Sequence, residues 1–140
     1  MTSQRRDGIL LRFENPADAR DLVIEDDDRV AYAYLRDAGR VVGDVWLYNS
    51  FEAPIDPEWD DFASAPFRNP KALCSSEPFE ILTEESRIRC EWSPAGVDLH
   101  IDEIHWAHLQ AGAKPGWSRL ATGVGPLAHP LLDRFKSSDK

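Results

Sequence analysis

Hydrophobic and polar positions alternate most clearly in two stretches, 29–49 and 85–105, and period two is the signature of a half-buried strand. In the first stretch, two β-rich runs flank Asp37-Ala38-Gly39-Arg40, where Gly39 can take positive φ. Counting outward from an Asp37–Arg40 pair sets Arg36 against Val41, Tyr34 against Gly43, Tyr32 against Val45 and Val30 against Leu47. The opposite face then pairs Leu35 with Val42, Ala33 with Asp44, Ala31 with Trp46 and Arg29 with Tyr48. This register predicts Asp44, Trp46 and Tyr48 on one face above two alanines, which is either a groove or the seat for another layer of the same protein.

The second stretch turns at Ser93-Pro94-Ala95-Gly96, with Pro at i+1 and Gly at i+3. The expected apolar pairs are Trp92–Val97, Cys90–Leu99 and Ile88–Ile101. The expected polar pairs are Glu91–Asp98, Arg89–His100 and Arg87–Asp102, with Arg89 also diagonal to Asp98. One wet face argues for antiparallel pairing, because an all-parallel sheet is apolar on both faces.

Shorter signals fill in the rest. Residues 8–13 and 22–24 read as strands. Asn15-Pro16 predicts one helical turn through Asp21, and Asp26-Asp27-Asp28 predicts a turn held by side-chain bonds to the backbone. Residues 50–73 carry Pro54, Pro57, Pro66 and Pro70 and predict a long acidic loop, with a short helix over 57–63. Residues 106–114 extend a strand and turn at Gly112, and 130–136 suit a short terminal helix. The expected fold is mainly β, with α+β as the alternative. It is an antiparallel sheet of about six strands built from hairpins, with short helices, packed against the long loop or closed as a small sandwich. One globular domain over 8–136 is expected, with frayed ends at 1–7 and 137–140.

Composition narrows the class. The chain has 140 residues, 42% hydrophobic and 29% charged, with a net charge of −9; that length supports a self-sufficient core. Residues 1–103 carry a net −12 and residues 104–140 a net +3. An acidic surface repels phosphate backbones, so nucleic acid is not an expected partner. No run nears the ~20 apolar residues of a membrane helix, and the Arg5-Arg6 pair has no apolar run behind it. Two cysteines are too few for a disulfide scaffold. A soluble cytoplasmic protein with Cys74 and Cys90 as buried thiols is the expectation, and one bridge between them is the alternative.

Catalytic patterns are weak. His100, His105 and His108 lie close together with Asp102 and Glu103. On a regular strand His105 points away from both other histidines, and only a bulge at Asp102-Glu103 returns His100 and His105 to one side. No metal and no cofactor is expected. Gly123-Val124-Gly125-Pro126-Leu127-Ala128 fits G-x-G-x-x-A without the βαβ unit that the motif needs. Cys90 and His100 fall on opposite faces of their hairpin and cannot form a nucleophilic pair. Cys74 beside Ser75-Ser76 stays open as a thiol. Glu91, Asp98 and Asp102 beside Arg87 and Arg89 read as a neutralised surface ladder.

The aromatics carry more. Trp92 and Trp106 read as core. Trp59 stands among Glu58, Asp60 and Asp61, either as an anchor for a basic partner or as a plug holding the loop down. The leading expectation is therefore a protein-binding module, of the immunity or inhibitor type. It would neutralise a basic protein such as a cationic toxin or nuclease by occlusion. The expected contact residues are Asp44, Trp46, Tyr48, Glu52, Asp56, Glu58, Trp59, Asp60 and Asp61, with the carboxylates steering encounter. The first alternative is a small enzyme or ligand-binding domain with a pocket near Asp44, Trp46 and Tyr48, with His100 or His105 as a further candidate. The second is a self-assembling subunit in which the positive tail meets the acidic front.

Overall fold

The computed structural model describes residues 8–50, 55, 68–83, 86–123 and 125–131. The expected helix over 57–63 lies outside them, as does the expected terminal helix beyond Leu131. The described fold is mainly β, in two sheets rather than one. β1 (Ile9–Glu14), β2 (Arg20–Asp26), β3 (Val30–Asp37) and β4 (Arg40–Asn49) form an antiparallel meander in chain order. β5 (Ile88–Trp92), β6 (Gly96–Ile101) and β7 (Ile104–Gln110) form a second, extended by β8 (Trp117–Ser118) and β9 (His129–Pro130). β8 runs antiparallel to β7, and β9 runs parallel to β8. The expected sheet of about six strands is replaced, among the described residues, by sheets of four and five strands.

The additional long strand arises at Asp102-Glu103. Both residues take positive φ, 51° and 69°, and two such residues make the tight turn that matches strand twist. The chain therefore reverses where the sequence pattern suggested one strand continuing through His105. A second departure lies at Asn15-Pro16, where a helical turn was expected. There Asn15 Oδ1 accepts from the Ala17 amide and Asp18 Oδ1 from the Arg20 amide. These local bonds give the backbone a turn instead of a helix. The Asp26–Asp28 turn forms as its composition predicts: Asp27 Oδ1 accepts from the Arg29 and Val30 amides, and Asp26 Oδ1 from the Asp28 amide.

Registers divide in the same way. The β5–β6 pairs are those read from Ser93–Gly96, from Trp92–Val97 out to Ile88–Ile101. The β3–β4 hairpin keeps Asp37–Arg40 and Arg36–Val41, then shifts. Val42 is extra, so Leu35 faces Gly43, Tyr34 faces Asp44 and Ala33 faces Val45. Leu47 is extra again, so Tyr32 faces Trp46 while Ala31 faces Tyr48. Each bulge moves the following residues to the other face. Asp44 and Trp46 consequently share a face with Tyr34 and Tyr32, and Tyr48 lies on the other.

The sheets pack through β4 and β7. Leu22, Ile24, Leu35, Val45 and Leu47 meet Val97, Leu99, Trp106 and Leu109 in one buried cluster, each large aliphatic side chain contributing about 1.5–3 kcal/mol by burial. The outer edge of β4 is covered by the chain after β7. Gly112 N–H donates to Val42 O, Gly116 N–H to Asp44 O, and Trp46 N–H to Leu127 O. A covered edge cannot template pairing with another chain. Among the described residues no helix is long and apolar enough to cross a membrane.

Candidate functional site

Two features stand out: a cleft beside the β6–β7 turn, and a row of histidines on the polar face of the second sheet.

The cleft has a volume of about 300 Å³. One wall is the segment Glu77-Pro78-Phe79-Glu80 and the other is Ile101, Asp102, Ile104 and Trp106 around the β6–β7 turn. Its apolar lining includes two side chains left in solvent, Phe79 at 37% and Ile104 at 41% exposure. Phe79 is anchored below, its ring 5.1 Å from Tyr48 and 6.1 Å from Trp106. Glu77, Glu80 and Asp102 supply carboxylates. Asp102 Oδ1 also accepts from the Arg87 amide, and Glu77 pairs with Arg119 at 3.1 Å. A neighbouring hollow shares Glu80 and Asp102 and continues past Ile81, Thr83 and Ser86. An apolar pocket rimmed by carboxylates suits a side chain with an aliphatic stem and a cationic head.

The histidine row follows from register. Glu91 faces Asp98, Asp98 faces His108, His108 faces Trp117, and Trp117 faces His129 across five strands. A bulge after Leu99 and the tight turn at Asp102-Glu103 bring His105 opposite His100, so their rings stack at 4.9 Å. All four histidines of the chain therefore belong to this row and its neighbour. One oxygen of Asp98 meets both His105 Nε2 and His108 Nδ1 at 2.9 Å. Burial acts to raise the Asp98 carboxyl. Hydrogen bonds from His105 and His108, with their charge, outweigh it and hold Asp98 well below the usual carboxylate range. Arg89 pairs with Glu91, and at 3.7 Å with Glu103, rather than with the diagonal Asp98. The Arg89 bond lowers Glu91, and His100 adds to the effect.

Because the folded pKa of Asp98 lies below its unfolded value near 3.9, the stabilisation is fully present above about pH 4. It is lost as pH falls through the folded value. Asp98→Asn is expected to cost about 1 kcal/mol at pH 7, after allowance for partial exposure. It should also flatten the loss of stability below pH 4. Urea unfolding of both proteins at pH 7 and pH 3 checks this; equal acid sensitivity would remove Asp98 from the account.

Among the described residues, no group of three or more His, Cys, Asp or Glu could hold a metal ion. Both thiols are free, and burial pushes Cys74 and Cys90 up to about 11, which leaves them protonated and poorly nucleophilic at neutral pH.

The residues expected from sequence fall into three groups. Trp46 and Tyr48 are buried, each at 1% exposure. Trp46 Nε1 donates to Asn49 Oδ1, and the Tyr48 hydroxyl donates to Asp26. Asp44 is half-buried beside Tyr34, and burial raises its carboxyl despite the opposing charge of Lys114. Glu52, Asp56, Glu58, Trp59, Asp60 and Asp61 lie outside the described residues. The cavity next to Trp46 is lined by Asn49, Cys74, Ser75, Phe79 and Leu120 and holds about 140 Å³, below the roughly 300–1,000 Å³ of small-molecule sites. Asp44 and Tyr48 do not line it.

Sequence reasoning missed the cleft residues. The available signal was Glu77-Pro78-Phe79-Glu80, an aromatic framed by acids like Trp59. Comparisons with known proteins give no match: no family model fits the chain, and neither a curated protein nor a solved structure is significantly similar to it.

Proposed function

We propose that this chain is a protein-binding module that occludes a basic protein partner, with the cleft as part of its contact surface. The observation that carries the reading is the exposed Phe79 and Ile104 set among Glu77, Glu80 and Asp102. Two neighbouring exposed hydrophobic side chains favour contact with another molecule, and the carboxylates fix the sign of that molecule's charge. A lysine or arginine of the partner lays its stem on Phe79 and Ile104 and its head on Glu80 and Asp102. The net charge of −9 steers encounter over a longer range. The acids of residues 52–61 add to that field through their charge. An immunity or inhibitor protein for a cationic toxin is the biological role that suits this surface.

Hexa-arginine is a simple probe of the cleft. Calorimetric titration at low salt is expected to give binding that Glu80→Lys weakens about tenfold or more and Phe79→Ala about fivefold. Equal affinity in the wild type and both variants would contradict the reading.

A further inference from the structure

We propose that two copies of this chain pair antiparallel along β1, edge to edge, in a symmetric dimer. The four-stranded sheet of each copy then becomes one half of a continuous sheet.

The sheet edges differ in how they are protected. Of the described strands, β1 bonds to β2 alone and ends its sheet. One row of its backbone N–H and C=O groups therefore faces outward, as a template for a further strand. The other three edges are blunted. β4 is bonded by the chain after β7 through Gly112, Gly116 and Leu127. β9 is two residues long, and one of them is Pro130, which has no N–H to give. β5 presents a charged row, Arg87, Arg89 and Glu91, and the Arg20 guanidinium lies 5.4 Å from the ring centre of Trp92 at its end. β1 has none of these protections. Its six residues pair with β2 without a bulge and include no proline. Leu10 is the most exposed large hydrophobic side chain of any described strand, at 70%.

The occupant is a second copy because β1 is complementary to itself. A two-fold axis through the sheet keeps Ile9, Leu11 and Phe13 on the side where they already pack against the core. Centred on Leu11, the pairing sets Ile9 against Phe13 of the second copy, Leu11 against Leu11, and the exposed Leu10 against the aliphatic stem of Arg12. The whole strand is used. A centre on Arg12 sets two guanidinium groups directly opposite, and a centre on Phe13 sets Leu10 against Pro16. In the Leu11 register the two Arg12 side chains are diagonal, and each is already held by Asp21 at 2.6 Å and Glu14 at 3.0 Å. Charge favours the same place. The chain carries −9, but residues 8–14 hold one arginine and one glutamate, so two acidic copies meet here at a neutral strand. Closure follows as well. The contact uses the same patch on both copies, and the far edge at β4 is covered, so assembly stops at two.

Sedimentation equilibrium of the full chain at about 1–500 μM tests this, a range suited to the small contact of one strand pair. A monomer–dimer equilibrium is expected. It should tighten as salt rises, because screening relieves the repulsion between two acidic copies. An assembly of positive tail on acidic front would loosen with salt instead. Leu10→Lys sets a lysine against Arg12 twice in the dimer, and Leu10→Glu sets a glutamate there. The glutamate variant is expected to dimerise about tenfold more tightly than the lysine variant. Net charge alone predicts the reverse order, because the glutamate variant is the more acidic. Glu25, which faces Leu10 within the chain, does so in monomer and dimer alike. Position 10 is exposed, so both substitutions leave the core intact. Amide exchange supplies a second readout: protection at Ile9–Phe13 should rise with protein concentration. A wild type that stays monomeric, as it would if the edge took a strand of a different protein, overturns the proposal. So do equal or reversed variant affinities, an assembly larger than a dimer, or exchange in β1 that does not respond to concentration.

Discussion

Gly96→Ala is expected to remove roughly 3 kcal/mol or more of stability, the upper end for one methyl group. Gly96 opens β6 where β7 passes closest. A Cβ there would lie 2.0 Å from the Leu109 carbonyl oxygen and 2.9 Å from the Gln110 Cα. Both are backbone atoms of the partner strand and cannot swing aside as a side-chain end would. The hairpin has to open at the Gly96–Gln110 pair, next to Val97 and Leu109, both fully buried. Loss of ladder bonds and loss of core packing then coincide. Denaturant unfolding followed by tryptophan fluorescence measures the effect, and an unchanged midpoint would contradict this packing of β6 against β7.

The second large effect is expected from Tyr48→Phe, about 2–3 kcal/mol for one oxygen atom. The Tyr48 hydroxyl donates to Asp26 Oδ2 at 2.5 Å and accepts from the Leu82 amide at 2.8 Å. Asp26 has no exposed surface, and its other oxygen takes the Asp28 amide and the Ser50 hydroxyl. Deleting the hydroxyl removes one bond from a buried carboxyl oxygen and one from a buried amide, while the ring and its packing stay. A buried polar group left without its bond costs far more than the bond contributes when made. Loss of the same stability in the double variant Tyr48→Phe/Asp26→Asn as in Tyr48→Phe alone would confirm that the two groups act as one unit. A change below 0.5 kcal/mol in Tyr48→Phe, a typical limit for an inconsequential surface substitution, would contradict it.

These two sites mark what the chain made legible and what it did not. The Ser93–Gly96 turn fixed its hairpin because the flanking residues alternate cleanly, so a slip of one residue would expose Val97, Leu99 and Cys90 together. Residues 45–49, Val-Trp-Leu-Tyr-Asn, are buried throughout. Where both faces are covered there is no alternation to hold register, and the extra residues Val42 and Leu47 leave no local trace. The backbone that pairs with the outer edge of this strand comes from Gly112, Gly116 and Leu127, far along the chain. Asp26 illustrates the same limit: its composition announced a turn, but its carboxylate is bonded by Tyr48 at the end of β4 and by Ser50 just after it.

The candidate site was harder to read for a related reason. Phe79 and Glu80 sit in a segment without periodicity, and Ile104 looked like the middle of a strand rather than the far side of a turn. The positive φ at Asp102 and Glu103 reversed the chain, exposed Ile104 and stacked His105 on His100 in one step. Neither residue is glycine or asparagine, the usual signals for such a turn. The sign of the surface charge needed no structure, and it is the part of the basic-partner reading that rests on composition alone.

The most direct test of that reading is to titrate hexa-arginine into the isotope-labelled protein at low salt and follow backbone amide shifts. The account predicts that the perturbed amides cluster at Phe79, Glu80 and Ile101–Trp106, and that the shifts shrink as salt is added. Shifts confined to other faces, or none at a peptide excess, would contradict the cleft as the surface that receives a basic partner.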